Sequence, residues 1–282
     1  MGIVKMNKHH LYLRFFCIQV VLSFFFISPV VAKPLSVDEI VQRSNQAVYY
    51  QGKSGRAQIS MVITDNQGRE RKRRMTVLRR DAADSDEVAG LAYLGDQKFY
   101  VYLHRPADVS KMTFLIWKHL RKNDSRWVYL PALDLVKRIA ASDKRTSFVG
   151  SDFFYEDISG RNLQEDNFTL EETTDKLYVI KGVPKDPGSV EFSYYRLYIH
   201  RQSFIPITIE YFDKNDRKYR IAKALKQENI SGFPTVTKAS MENLLTGSKT
   251  VMRYRKVEYN INLDDQLFSE RYLRKPPKKY LR

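Results

Sequence analysis

The stretches KFYVYLHR (residues 98–105) and MTFLIWK (residues 112–118) are apolar at consecutive positions, which restricts the folds open to the chain. In an antiparallel sheet with one face in water, apolar and polar residues alternate along each strand. Here Phe99 and Tyr100, and likewise Leu115 and Ile116, point to opposite faces. Something must therefore cover both faces of these strands. A strongly curved sheet that wraps around a helix or an apolar ligand would satisfy this requirement.

Outward from these stretches, apolar residues at every second position predict a long series of strands with short polar turns. Residues 57–63 alternate in this way, and Asn66-Gln67-Gly68 forms a turn to a second strand. The capping box Ser36-Val37-Asp38-Glu39 predicts a helix over residues 36–50, and a short helix is expected near residues 264–273. We predict a mainly β (α+β) fold with an antiparallel meander. The other strands are predicted at 98–105, 112–118, 126–130, 136–142, 168–172, 177–182, 193–200, 205–212, 217–226, 234–243 and 250–261.

The N-terminal residues 1–32 have the pattern of a cleaved secretory signal peptide. Three cations, ending at Arg14, precede an apolar run over residues 15–31, and cleavage is predicted after Ala32. This leaves a single domain over residues 33–282 and predicts a location in the periplasm. The alternative is a retained anchor helix, although a membrane span prefers roughly 20 apolar residues. The only cysteine, Cys17, lies in the signal peptide, so the exported domain has no thiol and no disulfide.

Residues suited to catalysis or metal binding are sparse in the exported domain. Its histidines, His104, His119 and His200, share no metal-ligand spacing. There is no Gly-x-Ser-x-Gly motif, and acidic neighbours on a strand point to opposite faces and cannot form an acid/base pair. We therefore expect no enzyme activity, no metal and no cofactor.

The formal net charge is +16 at pH 7, and the basic residues cluster over residues 69–74 and 271–282. Basic patches of this kind can bind an acidic partner such as nucleic acid. Export argues against nucleic acid, which leaves anionic lipid head groups, where each nearby cation contributes on the order of 1 kcal/mol. The alternative is a solvated charged face that keeps the protein soluble. The membrane-surface candidates are Arg71, Arg73, Arg74, Lys278 and Lys279.

Three ordered motifs stand in the middle of the chain: Trp127-Val128-Tyr129-Leu130-Pro131, Lys137-Arg138-Ile139, and Gly150-Ser151-Asp152-Phe153-Phe154-Tyr155-Glu156-Asp157. In these motifs the chain resembles the outer-membrane lipoprotein-sorting proteins. The resemblance is to the LolA-like branch associated with lipid-exporting permeases of the RND/MMPL type. Ser110-Lys111 departs from the branch's pattern, which has a glycine in that stretch.

The resemblance implies a LolA/LolB-like incomplete β-barrel, covered by a few helices over an apolar cavity. It also implies lipid or lipoprotein acyl chains as cargo and an RND/MMPL-type inner-membrane permease as partner. Aromatic and apolar residues in and around the motifs are the cavity candidates: Phe114, Ile116, Trp117, Trp127, Tyr129, Phe148, Phe153 and Tyr155.

The polar residues of the third motif are Gly150, Ser151, Asp152, Glu156 and Asp157. They have a structural interpretation as well as a ligand-binding one. Gly150 can adopt a backbone angle that other residues avoid, and Ser151 or Asp152 can cap a following turn.

These observations predict a periplasmic carrier that shields an acyl chain or another apolar lipid in a half-barrel cavity. The first alternative is a docking subunit of an RND-type permease that holds no cargo. The second is an envelope hydrolase on a β-scaffold. The sequence does not identify the lipid or the direction of its transfer.

Overall fold

In the described part of the chain, thirteen strands form one antiparallel sheet in the order β6-β5-β4-β3-β2-β1-β13-β12-β11-β10-β9-β8-β7. The end strands β6 and β7 do not pair with each other, so the sheet is not closed. This confirms the predicted antiparallel sheet. The strands are β1 (Ser54–Thr64), β2 (Glu70–Asp81), β3 (Gln97–Arg105), β4 (Thr113–Lys118), β5 (Ser125–Leu130), β6 (Leu135–Ile139), β7 (Asp166–Thr173), β8 (Leu177–Pro184), β9 (Tyr194–His200), β10 (Pro206–Phe212), β11 (Lys218–Ile230), β12 (Phe233–Asn243) and β13 (Ser248–Tyr259).

The computed structural model describes residues 1–2, 34–82 and 95–282. The predicted signal peptide, with its cleavage site after Ala32, lies outside the described residues. The chain divides into two compact units, Met1–Pro34 and Leu35–Arg282, and every helix and strand named here belongs to the second. Among the described residues, no helix is both long enough and apolar enough to cross a membrane. The α-helices are α1 (Val37–Tyr49), α2 (Tyr155–Ser159), α3 (Arg271–Arg274) and α4 (Lys278–Leu281).

One face of the sheet, here called the inner face, carries the main core. Met61 of β1 lies opposite Met252 of β13, and Val101 of β3 lies opposite Phe114 of β4; all four side chains are buried. Phe99 of β3 and Ile209 of β10 line the same cavity although they are six strands apart. A flat sheet would separate them by roughly 29 Å, at about 4.8 Å per strand. The sheet is therefore strongly curved around its inner face.

The outer face of β2–β5 is also apolar, and the C-terminal residues 261–282 cover it. Tyr100, Leu115 and Leu78 pack there against Leu267 and Phe268. The Tyr100 hydroxyl donates to the Tyr272 carbonyl at 2.8 Å. The prediction that both faces of β3 and β4 are covered is thus confirmed. The cover of the outer face, however, is the chain's own C-terminal segment and not the curvature of the sheet.

Helix α1 begins at the predicted capping box, in which Ser36 Oγ accepts from the Glu39 amide at 3.3 Å. Ile40 and Val41 bury its apolar side against Ile180 of β8 and Ile199 of β9. The helix expected near residues 264–273 is instead a 3₁₀ turn followed by α3, because the backbone at Ser269 is extended between them.

Gly182 of β8 provides a test of this packing. A Cβ atom at Gly182 would lie 2.5 Å from a ring carbon of Tyr195, whose hydroxyl donates to the buried Asp166 carboxylate. We expect Gly182→Ala to lower the free energy of unfolding by about 1–3 kcal/mol, because the ring must move out of its site. Gly188→Ala, in an exposed turn, is the control and should change stability by less than about 0.5 kcal/mol. Urea unfolding monitored by circular dichroism measures both; equal stability of the two variants would contradict this account.

Candidate functional site

An apolar cavity of about 320 Å³ lies on the inner face of the curved sheet. Its walls come from strands β1–β3 and β10–β13, from the end of α1, and from residues 147–161, here called the strap. Much of the β11–β12 wall is alanine, because Ala222, Ala224 and Ala239 occupy positions that face the cavity. Larger residues at these positions would fill the space. The cavity thus exists because one part of the inner face has small side chains.

The sheet is interrupted beside the cavity on one side. β11 pairs with β10 only as far as Lys223, whereas the rest of β11, to Ile230, pairs only with β12. Ala224, which lines the cavity, lies just beyond the last residue that β10 pairs with. Val48 of α1 also lines the cavity and is 39% exposed, so apolar surface continues from the cavity to solvent.

Ionisable groups in the cavity wall are either neutral or already paired. Burial raises the pKa of Tyr254 and of Tyr211 to about 12, so both hydroxyls stay protonated at neutral pH. Arg56 pairs with Glu258 at 2.8 Å. Arg79 pairs with Asp81 at 2.9 Å and also donates to the Tyr49 carbonyl at 3.3 Å. The cavity therefore offers apolar surface with few free charges, which suits an apolar ligand.

The strap crosses the inner face and contains the third sequence motif. Gly150 has a φ of +75°, in the left-handed region that favours glycine, and the backbone turns sharply there. The turn is closed by a hydrogen bond from the Phe148 amide to the Phe153 carbonyl at 2.8 Å. Both of these phenylalanine side chains line the cavity, so the strap is one of its walls.

Two aspartates of the strap attach it to the sheet. The Asp152 carboxylate accepts from the hydroxyls of Thr250, at 2.7 Å, and Ser248. The Asp157 carboxylate pairs with Arg220 of β11, whose guanidinium also donates to the Asp152 carbonyl at 2.9 Å. Arg220 is only 1% exposed, so this ion pair is deep in the structure.

The expected capping role is present for Ser151 within its own turn, where Oγ accepts from the Phe153 amide at 3.2 Å, but neither Ser151 nor Asp152 caps α2. The Asp157 carboxylate reaches back to the Phe154 amide at 2.7 Å, at the start of α2. Ser151 Oγ instead donates to the Phe148 carbonyl at 2.7 Å, within the turn, and Asp152 binds β13. The reason is that the turn at Gly150 places residues 151 and 152 too early in the chain to reach the first amides of α2.

Glu156 lies in a buried cluster of charges next to the strap. Its carboxylate, 3% exposed, contacts Arg145 at 2.6 Å, Lys144 at 3.2 Å and Arg161 at 3.3 Å. Burial alone would raise the pKa of Glu156, but these three cations lower it below its ordinary value. The carboxylate is therefore ionised at neutral pH and joins α2 to the residues on both sides of it in the chain.

The structure places the sequence-predicted cavity candidates in three groups. Phe148 and Phe153 line the cavity. Phe114, Ile116 and Tyr155 are on the inner side but behind it; the Phe114 ring lies 5.2 Å from that of Phe148 and 5.8 Å from that of Tyr155.

Trp117, Trp127 and Tyr129, the third group, lie on the outer face and not in the cavity. The Trp117 indole donates to the Phe268 carbonyl at 2.7 Å and stacks edge-on against Trp127. Strand alternation explains this placement, because residues 115, 117, 127 and 129 are in register on the face opposite to Phe114.

Four of the five membrane-surface candidates, Arg71, Arg74, Lys278 and Lys279, are exposed. Arg73 is not: it is 8% exposed and faces inward. It lies opposite Met61 of β1, and its guanidinium is 3.7 Å from the Asp108 carboxylate. Alternation along β2 makes neighbouring cations point to opposite faces, and a run of cations in the sequence does not show this directly.

The described residues contain no group of three or more His, Asp or Glu side chains placed to hold a metal ion. His104 contacts Thr76 Oγ1 at 2.9 Å, His119 contacts Asp96 at 2.7 Å, and His200 contacts Ser203 Oγ at 3.1 Å. Each histidine thus has a local structural partner.

Sequence reasoning missed the alanines of the cavity wall and the buried Arg220. The alanines had a usable signal, because Ala222 and Ala224 are two residues apart on one strand and so share a face. Arg220 had none: its partner Asp157 is 63 residues away in the chain.

Comparisons with known proteins agree on the fold. A DUF1329 family protein from Desulfovibrio piger ATCC 29098 is 27% identical, with a TM-score of 0.73; the match covers 83% of this chain and 96% of that one. A structure described as an outer membrane lipoprotein-sorting protein domain, from Vibrio parahaemolyticus, is 22% identical with a TM-score of 0.72, covering 84% and 97%. A LolA superfamily protein from Nitrosomonas europaea is 19% identical with a TM-score of 0.64, covering 85% and 100%.

One protein-family model, whose description reads "Uncharacterized protein", matches residues 95–275, which is more than half of the chain. No curated protein matches the sequence significantly. The chain therefore belongs to the family whose model spans residues 95–275, and it has the LolA-like fold of the lipoprotein-sorting proteins.

Proposed function

We propose that this protein is a periplasmic carrier that binds the acyl chains of a lipid or lipoprotein in the cavity. The observation that carries the proposal is the cavity itself, with its apolar wall, its alanines and its continuation to solvent at Val48. The fold it shares with lipoprotein-sorting proteins supports the same role. Each methylene sheltered from water contributes about 0.8 kcal/mol, so an acyl chain needs no specific polar contact to bind.

Export by a signal peptide and cooperation with an RND/MMPL-type permease are parts of this proposal. A carrier of this kind is not an enzyme and needs no cofactor. The alternative is a docking subunit of such a permease that holds no cargo. An envelope hydrolase is a weaker alternative, because the histidines of the described residues all have structural partners outside the cavity.

We also propose that the carrier approaches an anionic membrane surface with its outer face. Arg105, Arg74, Arg253 and Lys238 lie in register across β3, β2, β13 and β12, with only Ser60 of β1 interrupting the row. Within the described residues none of these four cations has an ion-pair partner. We call them the cationic row; it spans roughly 19 Å at about 4.8 Å per strand.

Without an anionic partner, the cationic row lowers the stability of the fold. Like charges directly opposite each other on neighbouring strands are destabilising, and Arg253 lies opposite Lys238. An anionic surface would remove this repulsion and gain on the order of 1 kcal/mol per cation. Arg74 was also among the membrane-surface candidates taken from the sequence.

The first test blocks the cavity. Ala222→Trp and, separately, Ala239→Phe place a large side chain where the wall needs a small one, and Ala132→Trp in an exposed turn is the matched control. We expect the wild-type chain and the control, purified from periplasm without detergent, to carry a lipid mass in native mass spectrometry. Both cavity variants should lose it while keeping the circular dichroism spectrum of the wild type. A wild-type chain that resists lipid loading would favour the docking subunit over the carrier.

The second test loosens the strap. Asp152→Ala removes the acceptor for the hydroxyls of Thr250 and Ser248, and Asp175→Ala removes an exposed carboxylate as the control. Charged hydrogen bonds contribute about 1.5–3 kcal/mol, so release of cargo should become about tenfold faster or more. Stopped-flow transfer of a fluorescent fatty acid to acceptor vesicles measures the release rate. Unchanged release from Asp152→Ala would show that the strap does not gate the cavity.

The third test removes the cationic row. A variant with Arg74, Arg105, Arg253 and Lys238 all changed to Gln loses four charges, and a control with Arg121, Lys122, Lys176 and Lys214 changed to Gln loses the same number elsewhere. We expect the first variant alone to lose binding to vesicles containing phosphatidylglycerol in a sedimentation assay, by at least tenfold at 0.1 M salt. Equal loss in both variants would indicate a response to net charge and not to this row.

A further inference from the structure

A second concave site lies on the outer face, on the side of the sheet opposite to the cavity. It is a groove of about 560 Å³ between Tyr102 and His104 of β3, Tyr129 of β5, and the C-terminal residues 274–282. We call it the tail groove. Its volume falls in the range of about 300–1,000 Å³ that is usual for small-molecule sites. The proposed carrier function does not use it.

The floor of the tail groove is largely apolar. The rings of Tyr102 and Tyr129, with Pro131, Pro276 and Leu281, form it. Tyr129 is held in place, since its hydroxyl donates to the Asp134 carboxylate at 3.1 Å and the Arg274 guanidinium lies 5.8 Å from its ring centre. A ligand with an aliphatic or glycerol-like body could therefore pack on a defined surface.

The rim of the tail groove is cationic. The groove is lined by Lys111, from the turn between β3 and β4, by Lys278 of α4 and by Arg282. No carboxylate side chain lines the groove, and neither lysine has an ion-pair partner within the part of the chain that the structure describes. Asp134 contacts two of the lining residues. Its carboxylate pairs with Arg274 at 3.2 Å and accepts from the Tyr129 hydroxyl.

Lys111 is held at this position by the backbone. It has a φ of +66°, and its amide donates to the Leu103 carbonyl at 2.8 Å, which fixes the turn against the end of β3. Lys278 is fixed in a similar way by the C-terminal segment, because Leu281 of the same helix is buried and its carbonyl lies 3.4 Å from Thr76 Oγ1. Both lysines therefore extend from anchored backbone and line one groove.

We propose that the tail groove binds a phosphate group, with the attached glycerol or sugar lying on the tyrosine and proline floor. A phosphate group is anionic and has several acceptor oxygens on one tetrahedral centre, so it can accept from two lysines at the same time. The phosphate could come from a phospholipid head group or from free phosphate, and the two sources differ only in the body that packs on the floor.

The test uses the exported chain and isothermal titration with two probes, inorganic phosphate and dihexanoyl phosphatidylglycerol below its micelle concentration. The Lys111→Gln/Lys278→Gln variant removes the two rim lysines. Lys176→Gln/Lys214→Gln, at exposed turns, removes the same charge and is the matched control. We expect the wild type and the control to bind at least one probe with saturation, and the rim variant to bind it about tenfold or more weakly.

Two comparisons make the outcome decisive. Binding of the phospholipid without binding of inorganic phosphate would identify a head group as the ligand, and equal binding of both would identify free phosphate. The Ala222→Trp variant keeps the tail groove but blocks the cavity, so it should bind the probe like the wild type. Binding by the rim variant as strong as that of the wild type would overturn the proposal. So would loss of binding in Ala222→Trp, because the lipid would then be in the cavity, or binding of neither probe.

Discussion

Burial of the inner face of one open sheet determines where the core, the cavity and the strap lie. The β1–β5 part of this face carries large side chains such as Met61, Leu103 and Phe114, which pack into a solid core with Phe148 of the strap. The β11–β12 part carries alanines, which cannot fill the same depth. A single curved surface thus carries both the core and the cavity, which opens where β11 and β12 have small side chains. The difference lies in side-chain volume and not in topology.

Charge pairs decide where the strap lies on this surface. Apolar packing of Phe148 and Phe153 would tolerate small shifts, because dispersion contacts are not directional. The ion pair of Asp157 with Arg220 allows few positions, since each partner would be left charged and buried if the strap moved. Glu156, surrounded by Arg145, Arg161 and Lys144, has the same effect on α2. The third sequence motif therefore combines apolar wall residues with the polar groups that position them.

The strands and the two covered faces could be predicted from the sequence. The contacts between segments that are distant in the chain could not. Alternation and turn residues located every strand from β1 to β13 to within a few residues, because these signals are local. The apolar character of both faces of β3 and β4 correctly indicated two covered faces. The cover of the outer face depends on contacts such as Trp117 with Phe268, 151 residues apart, which no local pattern carries. Aromatic content led to Trp127 and Tyr129 as cavity residues, yet strand register puts them on the other face.

The open edges of the sheet have a mechanical consequence. In a closed barrel the radius is set by the number of strands and their stagger. Here β6 and β7 are separate ends, so closure does not fix the radius, and small changes of twist at the twelve strand pairs can add up. A slight change of twist at each pair alters the radius without breaking ladder hydrogen bonds. Such compliance would let the volume of the cavity on the inner face change while the strands stay paired.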